Sequence, residues 1–241
     1  MNPKVSVVVV AYNEEKLIGA AVNALLKQTV SKETYEIIVV DNGSNDQTSK
    51  ICTKLGVKPY YYDKIQGCGP SRAFGSEKAK GSIIAYTDAD CRVPNDWIER
   101  IEALLQPSHI YMISGQGDPI EKTPATKIIF WFYDIFYRAN HVFEKPLVWG
   151  YTMALKKSAY RAIGGFDKSL LSSEDWDLAI RIQKKFGKKS VRYFPDLRVL
   201  ASTRKQNNAK ILWRYGLDGI RNYINLIILG KRRAIPVFNV R

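Results

Sequence analysis

Cysteine and histidine are both scarce in this chain of 241 residues. The cysteines are Cys52, Cys68 and Cys91, and the histidines are His109 and His141. An odd number of cysteines without the spacing of metal ligands argues against a disulfide framework and indicates a reducing compartment. The sequence therefore predicts a cytoplasmic protein.

Long hydrophobic runs are also missing. The longest, at 128–133 and 226–229, are far short of the ~20 residues needed to span a bilayer. Residues 1–4 lead directly into a β-branched run without the features of a signal peptide. With 46% hydrophobic and 25% charged residues, the composition excludes a disordered chain and a multi-span membrane protein. We therefore expect a globular chain that does not cross a membrane.

Acidic residues are too few to balance the basic ones. The chain has 37 Lys and Arg against 23 Asp and Glu, and its net charge is +14. Such a surplus favours an anionic partner, which could be a nucleotide, a nucleic acid or an anionic lipid.

Short β-rich runs alternate with helical patterns, which predicts an α/β fold with a mostly parallel sheet flanked by helices. The predicted strands are 5–11, 36–41, 58–62, 82–87, 110–115 and 191–194, and the predicted helices are 16–27, 48–55, 70–80, 96–105 and 174–186. The regular half, 1–118, and a less regular half, 119–206, form one domain, and 207–241 is predicted to be an amphipathic helical C-terminal extension.

Two further helical patterns are strongly apolar. In 125–143, only a narrow arc carries polar side chains, and 210–229 has one wide apolar side followed by Lys231, Arg232 and Arg233. Such faces pack on the core, pair with a second copy of the chain or lie in lipid. We expect the third outcome, at an anionic membrane surface, with a homodimer as the alternative.

Carboxylates close three of the predicted strands. Glu14 follows the first, Asp41 ends the second, and Asp88-Ala89-Asp90 ends the fourth. In a parallel sheet ligands bind outside the carboxyl ends of the strands, where hard oxygen ligands could hold a divalent cation next to a phosphate. Ordinary turn chemistry is the alternative, and it is a good one for Asp41.

A fourth acidic group, Ser172-Ser173-Glu174-Asp175, opens a predicted helix. Ser172 with Asp175 fits a capping box, which is a purely structural interpretation. The functional interpretation is that a carboxylate aimed at the same sheet edge acts as a general base.

In order and spacing, these motifs resemble the family-two glycosyltransferases of the GT-A fold, which are inverting and use nucleotide sugars. The resemblance rests on 10–14, 40–46, 67–81, 86–90, the Gly164-Gly165-Phe166-Asp167 turn and Glu174-Asp175. It implies a catalytic domain over 1–206, with a nucleotide-binding half and an acceptor half.

The resemblance also implies roles for single residues. The residues expected to contact the nucleotide sugar are Ala11, Tyr12, Glu14, Asp41, Arg72, Asp88, Ala89, Asp90, Gly150 and Arg204. Asp90 and Asp88 are expected to hold Mn²⁺ or Mg²⁺. Asp175 is expected to be the catalytic base, supported by Glu174. Many members supply a third metal ligand, commonly His, where this chain has Ser202-Thr203-Arg204-Lys205. We therefore expect Arg204 and Lys205 to neutralise part of the diphosphate.

The expected function is the transfer of a sugar, with inversion, from a nucleotide-diphosphate sugar to an acceptor hydroxyl or phosphate. The sugar is expected to be a hexose. The acceptor is expected to be a sugar or a lipid-linked group, with the enzyme peripheral on the inner face of the membrane and no nucleic acid partner. A nucleotidyltransferase is disfavoured because 12–15 contains no glycine for a phosphate loop. A non-catalytic basic module would explain the charge and would leave the strand-end carboxylates unexplained.

Overall fold

A computed structural model describes residues 2–170, 172–204 and 217–231. The first half of the chain alternates strands and helices as the sequence predicts. Its strands are β1 (Val5–Ala11), β2 (Tyr35–Asp41), β3 (Tyr60–Tyr61), β4 (Ile83–Asp88) and β5 (Cys91–Arg92), and its helices are α1 (Ile18–Leu26), α2 (Thr48–Lys54), α3 (Cys68–Lys78) and α4 (Trp97–Leu104).

The centre of the sheet is parallel, and its register sets the position of the site. β1 lies between β2 and β4, with Ala11 opposite Asp41 and Val10 opposite Asp88. β1 is buried along almost its whole length because it is covered on both faces, which is the reason for its unbroken valine run. The three strands therefore end together at one edge.

The second half adds β6 (Met112–Pro119), α5 (Pro124–Val142), β7 (Met153–Lys156), α6 (Lys157–Ala162), α7 (Glu174–Phe186) and β8 (Val191–Ala201). The strand order is β3-β2-β1-β4-β7-β6-β8-β5. β7 runs antiparallel to both β4 and β6. This inserted strand brings the segment just before it, which contains Gly150, to the carboxyl end of β4.

The predicted fold class is confirmed, and the second half differs in detail. β6 and β8 extend well beyond the predicted 110–115 and 191–194, because they pair in parallel on both sides of an irregularity between Ser114 and Gln116. The strand predicted at 58–62 shrinks to Tyr60–Tyr61 at the sheet edge. The domain boundary at 206 stays a prediction.

The C-terminal segment is helical at 217–222 and continues as a π-helix at Tyr223–Ile228. The described part of the predicted amphipathic helix is therefore helical in the structure. The predictions for 205–216, which include Lys205, and for Arg232 and Arg233 lie outside the described residues. Within the described ranges, none of the helices has the length and apolar character required to cross a membrane.

Candidate active site

The loops after β1 and β2 are tied to each other by hydrogen bonds. The Asn13 amide donates to Ser44 Oγ at 2.9 Å, and Asn13 Oδ1 accepts from the Asn45 amide at 2.9 Å. The Glu14 amide donates to Thr48 Oγ1 at 2.8 Å. Asn13 has a φ of 52°, a conformation that Asn tolerates better than most residues. The two loops thus form one rigid rim at the end of the sheet.

Asp41 lies at the bottom of this rim and is almost fully buried. Its Oδ1 accepts from the Ser44 amide at 2.8 Å, and its Oδ2 accepts from the Ser49 hydroxyl. The turn chemistry considered for Asp41 is therefore present. Each carboxylate oxygen keeps further acceptor capacity, so the turn holds the group in place without excluding a ligand.

Two other predicted nucleotide contacts flank Asp41 on the neighbouring strand. Ala11 is buried at the end of β1, and Tyr12 directly after it is half-buried. Their position beside Asp41 follows from the register of β1 with β2.

Asn42 is a structural residue of the site that was not among the predicted contacts. Its Nδ2 donates to the carbonyl oxygens of Tyr62 at 2.8 Å and Ile65 at 3.2 Å, and its Oδ1 accepts from the Gly67 amide at 2.9 Å. Asn42 is 3% exposed. It fixes the loop that leads into α3, and an asparagine directly after a strand-ending aspartate was the signal that could have revealed it.

Arg72 on α3 links the end of β4 to the start of α7. Its Nη2 donates to Asp88 Oδ1 at 2.8 Å, and its Nη1 donates to Glu174 Oε1. Burial opposes its charge, yet the charges of Asp88 and Glu174 raise the pKa of Arg72 well above its ordinary value. The predicted donor contact is therefore also the bridge that brings β4 and α7 together.

Glycines make this bridge possible. A Cβ at Gly150 would lie 2.6 Å from Arg72 Nη1, and a Cβ at Gly69 would lie 2.5 Å from the Leu170 carbonyl oxygen. Any larger residue would displace the guanidinium or separate α3 from the chain leading into α7. Gly150, predicted to contact the nucleotide sugar, therefore lies directly against Arg72.

Asp88, Ala89 and Asp90 form the turn that ends β4. Asp88 and Asp90 are half-buried and Ala89 is buried, with its amide donating to the Val10 carbonyl oxygen at 3.2 Å. The Ser202 amide donates to the backbone carbonyl oxygen of Asp90 at 3.1 Å, which ties the turn to the segment after β8. Carboxylate oxygens are the ligands that Mn²⁺ and Mg²⁺ prefer.

Among the described residues, no group of three or more His, Cys, Asp or Glu is arranged to hold a metal ion. Since Mg²⁺ in nucleotide enzymes is commonly bound by one or two carboxylates together with phosphates and water, the pair of aspartates fits such an ion.

The start of α7 does not use the predicted capping box. Its N-cap is Ser173, which has a left-handed backbone with φ 55° and makes no side-chain cap. Asp175 Oδ1 instead accepts from the amide of the next residue, Trp176, at 2.9 Å. The structural interpretation of Ser172 with Asp175 was wrong, because the Ser173 backbone turns away from the helical entry that a capping box needs.

The two carboxylates that begin α7 have different environments. Glu174 is 3% exposed and paired with Arg72, yet burial raises its pKa. Asp175 is half-buried, and burial together with the Glu174 charge raises its pKa to about 7. A carboxyl group whose pKa is close to neutral is suited to exchange protons.

Arg204, after β8, crosses the site and contacts Glu14 through its Nη2. The segment is fixed by Glu121, whose Oε2 accepts from the Thr203 amide at 2.7 Å and from the Thr203 hydroxyl at 2.9 Å. These donors lower the pKa of Glu121 despite its partial burial. Glu121 was not predicted because it lies 82 residues before Thr203 in the sequence, and no local motif reveals a contact over that separation.

Next to this polar edge, α5 presents an unusual face. Two of its polar side chains point inward: Asp134 accepts from the Tyr193 hydroxyl at 2.9 Å, and the His141 ring lies 5.5 Å from that of Tyr193. Trp131 and Phe132 are 58% and 59% exposed.

The C-terminal segment lies alongside α5, since the Phe136 and Tyr223 rings are 5.3 Å apart. We call the combined exposed face the apolar surface; it consists of Ile128, Trp131, Phe132, Ile135, Phe136, Leu217, Ile220, Ile224 and Ile228.

The fold and the strand-end carboxylates agree with comparisons against known proteins. The model of glycosyl transferase family 2 matches residues 6–164. Glycosyltransferase AglE of Haloferax volcanii is 34% identical over 184 residues, which cover 72% of this chain and 59% of AglE. The human dolichyl-phosphate beta-glucosyltransferase is 32% identical over 137 residues, which cover 49% of this chain and 42% of that protein. The chain belongs to glycosyl transferase family 2.

A solved structure gives the same fold. The mannosyltransferase PcManGT from Pyrobaculum calidifontis, in complex with GDP-Man and Mn²⁺, superimposes with a TM-score of 0.78 at 20% identity, covering 98% of this chain and 67% of that one. The chain spans less than two thirds of the length of AglE and of the human relative.

Proposed function

We propose that this chain transfers a sugar from a nucleotide-diphosphate sugar to an acceptor hydroxyl or phosphate with inversion at the anomeric carbon. One observation carries the proposal: buried Arg72 joins Asp88, at the end of β4, to Glu174, next to Asp175. It unites the edge where a nucleotide binds in α/β sheets with a carboxyl group whose pKa is about 7.

The nucleoside occupies the rim between β1 and β2. Asp41 accepts from a base N–H or a ribose hydroxyl, with Ala11, Tyr12 and Glu14 around it. When a nucleotide competes for Glu14, Arg204 turns toward the diphosphate, and its guanidinium offsets the charge of the leaving group. Gly150, beside Arg72, leaves room for the sugar.

Asp175 acts as the general base. It takes the proton from the acceptor hydroxyl while that oxygen attacks the anomeric carbon on the side opposite the diphosphate, and a single displacement inverts this centre. Glu174 contributes by holding Arg72 and the first turn of α7. The raised pKa of Asp175 places its proton affinity close to neutral pH, where a general base is most effective.

Asp90, together with Asp88, would hold a divalent cation, Mn²⁺ or Mg²⁺. When bound, the cation supplies charge that stabilises the diphosphate leaving group. The Mn²⁺ in the structure of PcManGT supports this assignment. Two neighbouring carboxylates repel a diphosphate unless a cation lies between them. This repulsion is an independent argument for a cation at Asp90 and Asp88.

The acceptor is lipid-linked, and the enzyme binds the cytoplasmic surface of a membrane without crossing it. The apolar surface adjoins Trp176, the residue after Asp175, because Tyr223 contacts both α5 and the Trp176 ring. The net charge of +14 and Lys231 beside this surface complement anionic lipid. The name of the human relative, which contains dolichyl phosphate, a lipid, supports the same acceptor class. A homodimer through this surface is the alternative.

The function is tested by screening nucleotide sugars for thermal stabilisation with Mn²⁺, with Mg²⁺ and with chelator, because a ligand at 100 times its Kd adds ~2.7 kcal/mol to stability. We expect one donor to stabilise the protein with metal and weakly in chelator, and Asp90→Ala to lose the metal dependence.

With that donor, Asp175→Asn is expected to lower transfer by roughly 100-fold or more while donor affinity stays similar. Asp196→Asn, which changes an exposed aspartate on β8, is the control. Donor binding without transfer to any acceptor, unchanged by Asp175→Asn, would favour the non-catalytic alternative.

A further inference from the structure

The first residues of α7 are held in an unfavourable backbone conformation. Ser173 has φ 55° and ψ 24°, in the left-handed region, and its side chain does not cap the helix. Residues other than glycine seldom adopt this conformation, and neighbouring contacts must compensate for its cost. Since Ser173 directly precedes Glu174 and Asp175, its conformation sets the direction in which both carboxylates leave the backbone.

The compensating contact comes from the C-terminal segment. Asn222 Nδ2 donates to Ser173 Oγ at 2.7 Å and lies 3.3 Å from Ser172 Oγ. Asn222 is 3% exposed, so its amide makes these hydrogen bonds in the protein interior and not at the surface. A single side chain, distant in sequence, thus holds both serines that precede the base.

The segment that carries Asn222 is anchored independently of this contact. The Tyr223 hydroxyl donates to Asn140 Oδ1 at 2.7 Å, and Ile227 packs in a cluster with Tyr137 and Leu147. These anchors fix the helix against α5. The Tyr223 ring also packs on Trp176, and the Asn222 amide donates the hydrogen bonds that reach the two serines before Glu174.

We propose that Asn222 is a positioning residue for Asp175. By holding Ser173 in the left-handed region, it orients the first turn of α7 toward the sheet edge. The Asn222 side chain is therefore needed to position the base, although it lies beyond the match to the family model, which ends at residue 164. This inference rests on the proposed function only for the role of Asp175 as base.

The test replaces Asn222 by alanine and compares it with Tyr223→Phe. Asn222→Ala is expected to lower kcat roughly 10- to 100-fold, because small displacements of a reacting group are costly, and to leave the KM for the donor unchanged. Hydrogen exchange of the amides at 173–177 should become faster in the same variant. Tyr223→Phe removes one hydrogen bond from the same helix and should leave kcat and this exchange close to wild type.

Ser173→Gly supplies a second variant. Glycine adopts a positive φ without cost. The substitution also removes the Oγ that accepts from Asn222. If Asn222 acts through Ser173, then Asn222→Ala should lower kcat by a much smaller factor in the Ser173→Gly background.

Equal losses of kcat in Asn222→Ala and Tyr223→Phe, or unchanged exchange at 173–177 in Asn222→Ala, would overturn the proposal. The exchange measurement needs no substrate. If the wild-type protein transfers no sugar, the proposed function fails while the exchange result still decides whether Asn222 holds the start of α7.

Discussion

The two sides of the site are built on opposite principles. At the ends of β1, β2 and β4, charged groups are buried and paired with each other, as in the bridge from Arg72 to Asp88 and Glu174. On α5 and the C-terminal segment, aromatic and aliphatic side chains are exposed, while polar side chains such as Asp134 and Asn222 face inward. The polar side is closed and preorganised, and the apolar side is open.

This difference indicates what each side meets. Buried charges are tolerated when their partners are fixed, and such a site suits a charged ligand of constant structure such as a nucleotide diphosphate. Exposed apolar area is retained when it contacts another surface. Asp175 lies between the two sides, next to Arg72 through Glu174 and next to the apolar surface through Trp176.

The largest expected effect comes from removing the charge at the centre of the polar side. Arg72→Ala leaves Glu174 and Asp88 without their partner in a buried site, and breaking such a pair costs about 3–5 kcal/mol. We expect this loss in the free energy of unfolding measured by urea denaturation at neutral pH, together with loss of donor binding.

Arg138→Ala is the matched control on the apolar side. Arg138 pairs with Asp134 four residues earlier on α5, and its side chain is 48% exposed. An exposed pair of this kind contributes about 0.3–0.5 kcal/mol. If both variants lose the same stability, the contrast between a preorganised polar side and an open apolar side is wrong.

The second effect concerns the apolar surface. Replacing Trp131 and Phe132 by serine is expected to lower the partition constant on anionic vesicles by roughly tenfold, because each exposed aromatic loses part of the ~1.5–3 kcal/mol of its full burial. Raising the salt concentration should weaken binding of the wild-type protein, since basic residues near the membrane contribute about 1 kcal/mol each. Vesicle co-sedimentation measures both.

Tyr61→Ser controls for the loss of any exposed aromatic, since Tyr61 is 63% exposed on β3 at the far end of the sheet. This variant should bind vesicles as the wild type does. A protein that stays in the supernatant at low salt and sediments as a stable dimer would assign the apolar surface to a subunit interface.

The sequence predicted the polar side better than the apolar one. Strand-end motifs such as Asp88-Ala89-Asp90 are local, and a parallel register carries them to one edge regardless of how the rest of the chain folds. The same locality explains why the start of α7 was placed correctly at Glu174.

Contacts between distant segments could not be predicted from the sequence. The bridge from Arg72 to Glu174 joins residues 102 positions apart, and the pair of Arg204 with Glu14 joins residues 190 positions apart. Periodicity in α5 showed that polar side chains share one arc, but not that Asp134 and His141 on this arc face the protein. That outcome depends on Tyr193 and Leu147, which supply hydrogen-bond partners for Asp134 and His141.

The smallest expected effect is on the pH dependence of stability, and it concerns the residue at the boundary of the two sides. Burial and the Glu174 charge raise the pKa of Asp175 from 3.8 to about 7, so the folded protein binds a proton here more tightly than the unfolded chain does. Stability is therefore lost as pH rises from about 4 to about 7. Asp175→Asn removes this loss.

We expect Asp175→Asn to be more stable than wild type at pH 8, by on the order of 1 kcal/mol, and to lose this advantage at pH 5, as measured by urea denaturation at both values. Loss of the favourable interaction of a carboxylate with the start of α7 opposes the gain, and it amounts to only about 0.3–1 kcal/mol.

Asp46→Asn should change the stability in the opposite direction, because hydrogen bonds from Thr48 and from backbone amides lower the pKa of Asp46 despite its partial burial. That variant should lose stability at pH 8 and approach wild type in acid. A destabilised Asp175→Asn at pH 8 would mean that the carboxylate belongs to the structure of α7, and the assignment of Asp175 as a base poised near neutral pH would have to be abandoned.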